Sequence, residues 1–380
     1  MKNRTTYSPR IVIAGGGTGG HLFPGIAIAE EFLRRDPGAL ILFIISGNPF
    51  EISVLSEKKY AYTCIKSQGI KGRGLLKQIA AVAKIPQGIL SSLKILKRFR
   101  PDIVLGVGSY SSGPVVAGAW LLGITKVLCE QNILPGITNR FLSYFAERIY
   151  VSFLNTSLRC SKKKIYFTGN PVRREMLEYA LKNKSGNKPE QKKENRKDKQ
   201  QFTVMITGGS QGAHSINLAM ADALDHIRNK DKFNFIHQTG TDDEEMMQAI
   251  YKSHGIRCTV KSFFNDMPVQ FEKSNFVICR SGATTVAELA AMGKGTLFIP
   301  YPFAADNHQV LNALSLTEAG AAEMILQDEL NGELLVEKIE YFASHPESLK
   351  TMAARAKKIG RPDAVKKIVD DCCRLIENVS

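Results

Sequence analysis

Two glycine-rich turns, GGGTGGH at Gly15 to His21 and TGGSQGA at Thr207 to Ala213, each follow an apolar run and open a helix-like one. That order suits an anion: glycine lets the backbone come close to a phosphate, and the first N–H groups of the following helix carry partial positive charge. Two such units, roughly half a chain apart, imply an α/β protein of two Rossmann-like domains whose parallel sheets face a central cleft. One loop suggests a phosphorylated ligand; two suggest a pair of them.

The pattern between the turns supports this class. In the first half, strand-like runs at 10–14, 40–45, 62–66, 103–106, 126–129, 149–151 and 165–167 alternate with helical stretches, including a long amphipathic one at 75–100. Alternation resumes at 202–207 and continues through runs at 234–237, 258–262, 276–279, 296–300 and 322–325, before a mostly helical tail from about residue 335. Strands interleaved with helices read as parallel sheets covered on both faces. The expected division is a first domain over 1–170, a connection over 171–200, a second domain over 201–345 and C-terminal helices over 346–380 that pack back on the first domain. Within the connection, residues 181–200 contain no apolar side chain after Leu181 and read as a hydrated insertion.

Charge is unevenly placed. Residues 1–180 carry 25 Lys/Arg against 10 Asp/Glu, whereas residues 201–380 carry 18 against 23, within a total of +15. A basic first half fits an anionic partner such as a lipid surface or a nucleic acid, or a simple solubility bias. No recognition helix or stacking motif supports nucleic acid. The seven cysteines are odd in number and lack metal-ligand spacing, which points to a reducing compartment and no zinc site. The apolar run near the start, residues 11–14, is too short for a signal-peptide core, and no stretch approaches the roughly 20 apolar residues of a membrane span.

Several rims carry chemistry. Gly15, Gly17 and Gly20 satisfy GxGxxG, whose first reading is a nicotinamide or flavin dinucleotide site. That reading calls for an acidic residue at the end of the second strand, yet the strand at 40–45 ends in Ser46, Gly47 and Asn48, so an NAD(P)-dependent oxidoreductase is weakened. His21 closes the loop and is the only histidine before residue 214; it suits a base or an anion ligand. GVGSYSSGP at 106–114 contains Tyr110, and CEQN at 129–132 places Glu130 and Asn132 at another strand exit, as a ligand rim or as helix caps. In the second half, Glu288 in CRSGATTVAELAAMG suits ribose hydroxyls or, equally, a helix dipole. Asp306 to Gln309 open a helix with amides for sugar hydroxyls, and Asp242-Asp243 read as a solvated helix start.

Eight motifs in order (GGGTGGH, GVGSYSSGP, CEQN, GNPVR, GGSQGA, HQTG, RSGATTVAE and the His308-Gln309 pair) give a chain that resembles the MurG family of peptidoglycan glycosyltransferases, of GT-B fold. The resemblance covers nearly everything outside 181–200. It implies an inverting transfer of N-acetylglucosamine from UDP-N-acetylglucosamine to the 4-hydroxyl of a muramoyl peptide on undecaprenyl diphosphate. It places the acceptor in the first domain and the donor in the second. Thr18, Gly19, Gly20, Asn132, Arg173, Ser210, Phe264, Ala283, Thr284, Thr285, Val286, Ala287, Glu288 and Gln309 match the donor-binding positions. Glu288 is implied to hold the ribose, Ser210 the diphosphate, and Gln309 with Asn132 the sugar. His21 is the expected base or acceptor-diphosphate ligand, with Glu130 and Tyr110 behind it. Cys129 departs from the family pattern, which has histidine there. No metal or other cofactor is expected, because helix N-termini and loop amides stabilise the leaving diphosphate.

A UDP-N-acetylglucosamine 2-epimerase of the same fold is the alternative reading. Location is expected at the cytoplasmic face of the bacterial plasma membrane, as a peripheral protein. Leu75, Leu76, Ile79 and Val82 form an apolar stripe fringed by Lys71, Arg73, Lys77 and Lys84, which reads either as an interfacial helix or as a core-facing one. Trp120 is a second anchor or a core residue.

Overall fold

The computed structural model describes residues 8–65, 85–182 and 201–378. The chain divides into two compact units, residues 1–173 with 361–380, and residues 174–360.

The first unit is built on a seven-stranded parallel sheet. Its strands are β1 (Arg10–Ala14), β2 (Leu40–Ile45), β3 (Ala61–Cys64), β4 (Ile103–Gly106), β5 (Thr125–Glu130), β6 (Arg148–Val151) and β7 (Ile165–Phe167), in the order β3-β2-β1-β4-β5-β6-β7. Both faces are covered, so the strands read as continuous apolar runs, and alternate residues feed opposite layers. Ile11, Ile13, Phe43 and Leu105 enter one core, while Val12, Ala14, Ile44 and Val104 enter the other. The order reverses between β1 and β4, the place where an open parallel sheet leaves a crevice at its carboxyl edge. The exits of these two strands touch: a Cβ on Gly15, whose φ is +143°, would lie 2.5 Å from the Gly108 carbonyl.

The second unit repeats the plan with six parallel strands, β8 (Phe202–Thr207), β9 (Phe233–Gln238), β10 (Cys258–Lys261), β11 (Phe276–Cys279), β12 (Gly295–Phe298) and β13 (Glu323–Met324), ordered β10-β9-β8-β11-β12-β13. Its reversal lies between β8 and β11, beneath the second glycine loop and the RSGATT turn.

The chain's tail is shared, which differs from the expectation for 346–380. The helix Pro346–Ile359 packs in the second unit, where Leu349 and Met352 join its core. The helix Ala364–Glu377 instead lies against Gly19–Arg35 in the first, supplying Ile368, Val369, Cys372 and Ile376. Amphipathicity decides this: its apolar residues recur at three- and four-residue spacing, and each large aliphatic side chain buried contributes about 1.5–3 kcal/mol. The helix Arg174–Lys182, assigned from sequence to the connection, also belongs to the second unit. Most of the stripe at 70–90 and most of the insertion at 181–200 lie outside the described residues. Among the described residues, no helix is long and apolar enough to cross a membrane.

Candidate functional site

In the first unit, helix α1 (Gly19–Arg35) starts directly beyond Thr18, whose carbonyl accepts from the N–H groups of His21 and Leu22. Thr18 and Gly20 are exposed and Gly19 is half-buried, so the opening turn faces solvent. The loop before it is committed inward. Glu51, fully buried, accepts from Gly17 N–H, from Ser46 Oγ at 2.7 Å and from Asn48 N–H at 2.9 Å. Glu51 lies in α2 (Pro49–Glu57) and closes a capping box with Asn48. The acidic residue missing at the end of β2 is therefore present one turn later. It is spent on the loop itself rather than offered to a ribose.

His21 stands where the loops that follow β1 and β4 meet. Its Nδ1 lies 3.1 Å from the Val107 carbonyl and 3.3 Å from Gln131 Oε1, while Gln131 Nε2 donates to the same carbonyl at 3.0 Å. Both neighbours of Nδ1 are acceptors, so Nδ1 carries the proton and a neutral ring keeps its lone pair on Nε2. Gly108, at φ +93°, makes room: a Cβ there would lie 2.7 Å from the imidazole. Sequence reasoning passed over Gln131, although it sits inside CEQN.

The other two base candidates are placed differently. Glu130 is 2 % exposed and accepts from Asn132 N–H at 2.9 Å, Gly136 N–H at 3.1 Å and Asn139 Nδ2 at 2.8 Å. Burial pushes its carboxyl above the usual range, against the pull of those bonds. Its carboxyl ties together the 130–139 segment. Tyr110 is exposed on the turn between β4 and the helix Ser112–Leu121, beside Ser109, which adopts a left-handed φ of +73°. Cys129 points into the core beside Cys372, and burial pushes its thiol up to about 12, so it has no acid–base role near neutral pH. Asn132 is half-buried on the Glu130 turn. Arg173 stacks over Phe23 of α1 with its guanidinium carbon 4.4 Å from the ring centre.

The second unit's loop is tied by a neutral amide. Buried Gln238 donates to the Gly209 carbonyl at 2.8 Å and to Thr207 Oγ1 at 3.2 Å, and accepts from Phe264 N–H at 2.9 Å. Thr207 Oγ1 also accepts from Gly209 N–H at 3.1 Å. Three strand exits are thereby tied by one neutral amide. Ser210 stays half-buried on the loop, and nothing lies within 4 Å of where a Gly209 Cβ would be. Phe264 is buried as a whole residue, with its N–H given to Gln238.

Helix α3 (Ala283–Met292) starts at Gly282 after β11. Thr284 and Glu288 are one turn apart on one face and both nearly buried. Val286, two residues from each, is buried as well, while Thr285 and Ala287 are partly exposed and Ala283 lies at the first position. Gln309, in the first turn of the helix His308–Thr317, accepts from Tyr301 N–H at 2.9 Å, which leaves its amide nitrogen as the donor to offer a ligand. Asp306 and Asn307 before it are both left-handed, at φ +54° and +52°. Arg280, unremarked from sequence, donates to the carbonyls of Ile299 and Pro300 and to Gln327 and Ser215. Burial lowers its guanidinium to about 10, still charged at neutral pH.

Asp243 corrects the expectation of a solvated acidic start. It is buried, and its carboxylate lies 2.9 Å from His214 Nδ1 and accepts from Asn217 Nδ2 at 2.6 Å. Behind Asn217, fully buried His237 bonds Asn217 Oδ1 at 3.0 Å and Tyr251 Oη at 3.2 Å, and burial lowers it to about 3. Asp242 is exposed, as expected.

Models of the glycosyltransferase family 28 N-terminal and C-terminal domains match residues 11–151 and 203–368. A relative in Syntrophus aciditrophicus, 43% identical over 97% of this chain and 99% of its own, is named UDP-N-acetylglucosamine–N-acetylmuramyl-(pentapeptide) pyrophosphoryl-undecaprenol N-acetylglucosamine transferase. A Geobacter sulfurreducens relative of the same name is 41% identical over 95% of this chain and 97% of its own. Among solved structures, MurG of Acinetobacter baumannii aligns with a TM-score of 0.72 at 28% identity, over 95% of this chain and 98% of its own. A Neisseria meningitidis UDP-GlcNAc 2-epimerase aligns at 0.67 over 96% and 100%, but at 17% identity it attests the fold alone. With both domain models in place along one chain and the two glycine loops at the two points of strand-order reversal, this protein belongs to glycosyltransferase family 28, among the MurG enzymes.

Proposed function

We propose that the protein transfers N-acetylglucosamine from UDP-N-acetylglucosamine to the 4-hydroxyl of undecaprenyl-diphosphate-linked N-acetylmuramoyl-pentapeptide, with inversion at the anomeric carbon. The observation that carries this reading is identity above 40% along nearly the whole chain to relatives named for that transfer. In the step, the acceptor oxygen forms a bond to the anomeric carbon as the bond to the UDP oxygen breaks. The hydroxyl proton passes to His21 Nε2, and the bonding electrons leave with UDP. The hydrogen bond from Nδ1 to Val107 holds the ring in the tautomer this needs. Thr18, Gly19, Gly20, Asn132 and Arg173 are the first unit's substrate-binding residues. In the second, Ser210 and the loop amides take the diphosphate, Glu288 the ribose and Gln309 the sugar, with the 283–288 turn and the Phe264 backbone around the nucleotide. Tyr110 is a contact to the acceptor, and Glu130 is a clamp on the Asn132 turn rather than a base.

Peripheral docking on an anionic lipid surface is part of the same proposal. Trp120, Leu121, Phe141 and Tyr144 are exposed on the first unit, with Trp120 packed on Phe145 at 4.7 Å. Arg140 is exposed among them, and Lys164 reaches the Tyr144 carbonyl. Aromatic tips with cations at their edge suit a lipid interface. The direct test is incubation with labelled UDP-N-acetylglucosamine and the lipid-linked muramoyl acceptor. A labelled lipid disaccharide is expected; conversion of the nucleotide sugar to its 2-epimer without acceptor supports the alternative instead.

A further inference from the structure

We propose that His214 is a ligand of the donor's diphosphate, its ring oriented by Asp243 so that the opposite edge is presented to the leaving nucleotide. The inference rests on the donor reading of the second unit and adds a residue to it. The glycine loop doubles back tightly: a Cβ on Gly208 would lie 2.2 Å from Ala213 N, which brings the start of the helix His214–His226 beside the loop's first glycine. His214 is the first residue of that helix, and its side chain is 67% exposed.

The ring is not adrift. Nδ1 lies 2.9 Å from both oxygens of Asp243, a carboxylate whose own acidity is strengthened by Asn217, His214 and His237 against the cost of burial. Asn217 is fixed in turn by the Thr239 carbonyl and by His237. In the proposed complex the ring donates from Nδ1 to the Asp243 carboxylate and from Nε2 to a diphosphate oxygen. Arg280 reaches Ser215 Oγ at 3.0 Å and is occupied with the 299–300 carbonyls and Gln327. His214 is therefore an exposed hydrogen-bonding side chain placed next to the loop, and its bond to the diphosphate strengthens as charge grows on UDP when the glycosidic bond breaks.

The test is calorimetric titration of the full-length protein with UDP and, separately, with uridine. His214→Ala is expected to weaken UDP about tenfold and leave uridine within twofold. His214→Arg restores most of the UDP affinity, and Asp243→Asn weakens UDP by about threefold. UDP affinity unchanged in His214→Ala overturns the proposal, as does equal loss for UDP and uridine, which marks a structural defect. The donor reading fails in a different way, with unaltered protein that binds neither compound.

Discussion

The two glycine loops occupy the same place in two copies of one topology, yet they are wired oppositely. Beneath the first, Gly17 N–H is already taken by the buried carboxyl of Glu51, so an acidic side chain sits under the loop and occupies one of its amides. Beneath the second, a neutral amide, Gln238, does the tying, and the nearby carboxylate, Asp243, is engaged by His214 and Asn217. A carboxylate under a loop opposes an anion above it; a neutral tie does not. In the proposed function the first loop frames His21 and the second holds the donor's diphosphate. Likeness of motif does not carry likeness of charge.

The comparison breaks most readily at His21. His21→Ala is expected to lower turnover by about 10²–10⁴-fold, the usual span for losing a general base, with UDP affinity within twofold. Steady-state kinetics beside UDP titration reads the two separately; comparable loss of both contradicts the division of labour. Next comes Glu51→Ala, which strands the Gly17 and Asn48 N–H groups and the Ser46 hydroxyl. Each unsatisfied donor costs about 1–3 kcal/mol, so urea unfolding of the first unit is expected to lose about 3 kcal/mol or more. A variant of full stability removes Glu51 from the loop's support. Glu288→Ala is expected to raise the donor KM by about 10–100-fold, the worth of about 1.5–3 kcal/mol in charge-assisted bonds to ribose hydroxyls, with little change at the acceptor. An unchanged donor KM removes the ribose role.

The smallest effect concerns acid. His237 takes a proton near pH 6.5 in an unfolded chain but only near 3 when folded. Between those values the unfolded state binds more protons, so stability falls as pH drops, by up to about 1.4 kcal/mol per pH unit. Denaturant unfolding of the second unit at pH 7 and pH 5 tests this, and His237→Gln is expected to flatten the slope. An unchanged slope assigns the acid sensitivity elsewhere.

Much of the fold was legible because buried parallel strands are continuous apolar runs closed by glycine: β1, β2, β4, β8 and β11 begin and end where the residues say. What was hidden depends on contacts far apart in sequence. Glu51 meets Gly17 across 34 residues, Gln131 meets Val107 across 24, and Gln238 meets Gly209 across 29. Only the first had a local signal, the Asn48-to-Glu51 capping spacing, which also marks the helix Pro49–Glu57 that periodicity misses in nine residues. Asp243 was misjudged for a related reason: adjacent acids look solvated until a packed Asn and His turn one of them inward. Trp120 was undecidable from sequence, since its neighbours are apolar on both sides; in the fold it is 49% exposed.

The most direct measurement is a crystal structure with UDP bound. The expected position has the diphosphate on the 208–213 loop beside Ser210 and His214, with the ribose at Glu288. Nucleotide seated on the loop that ends at His21, away from Glu288, contradicts the assignment of the anion site to the second unit.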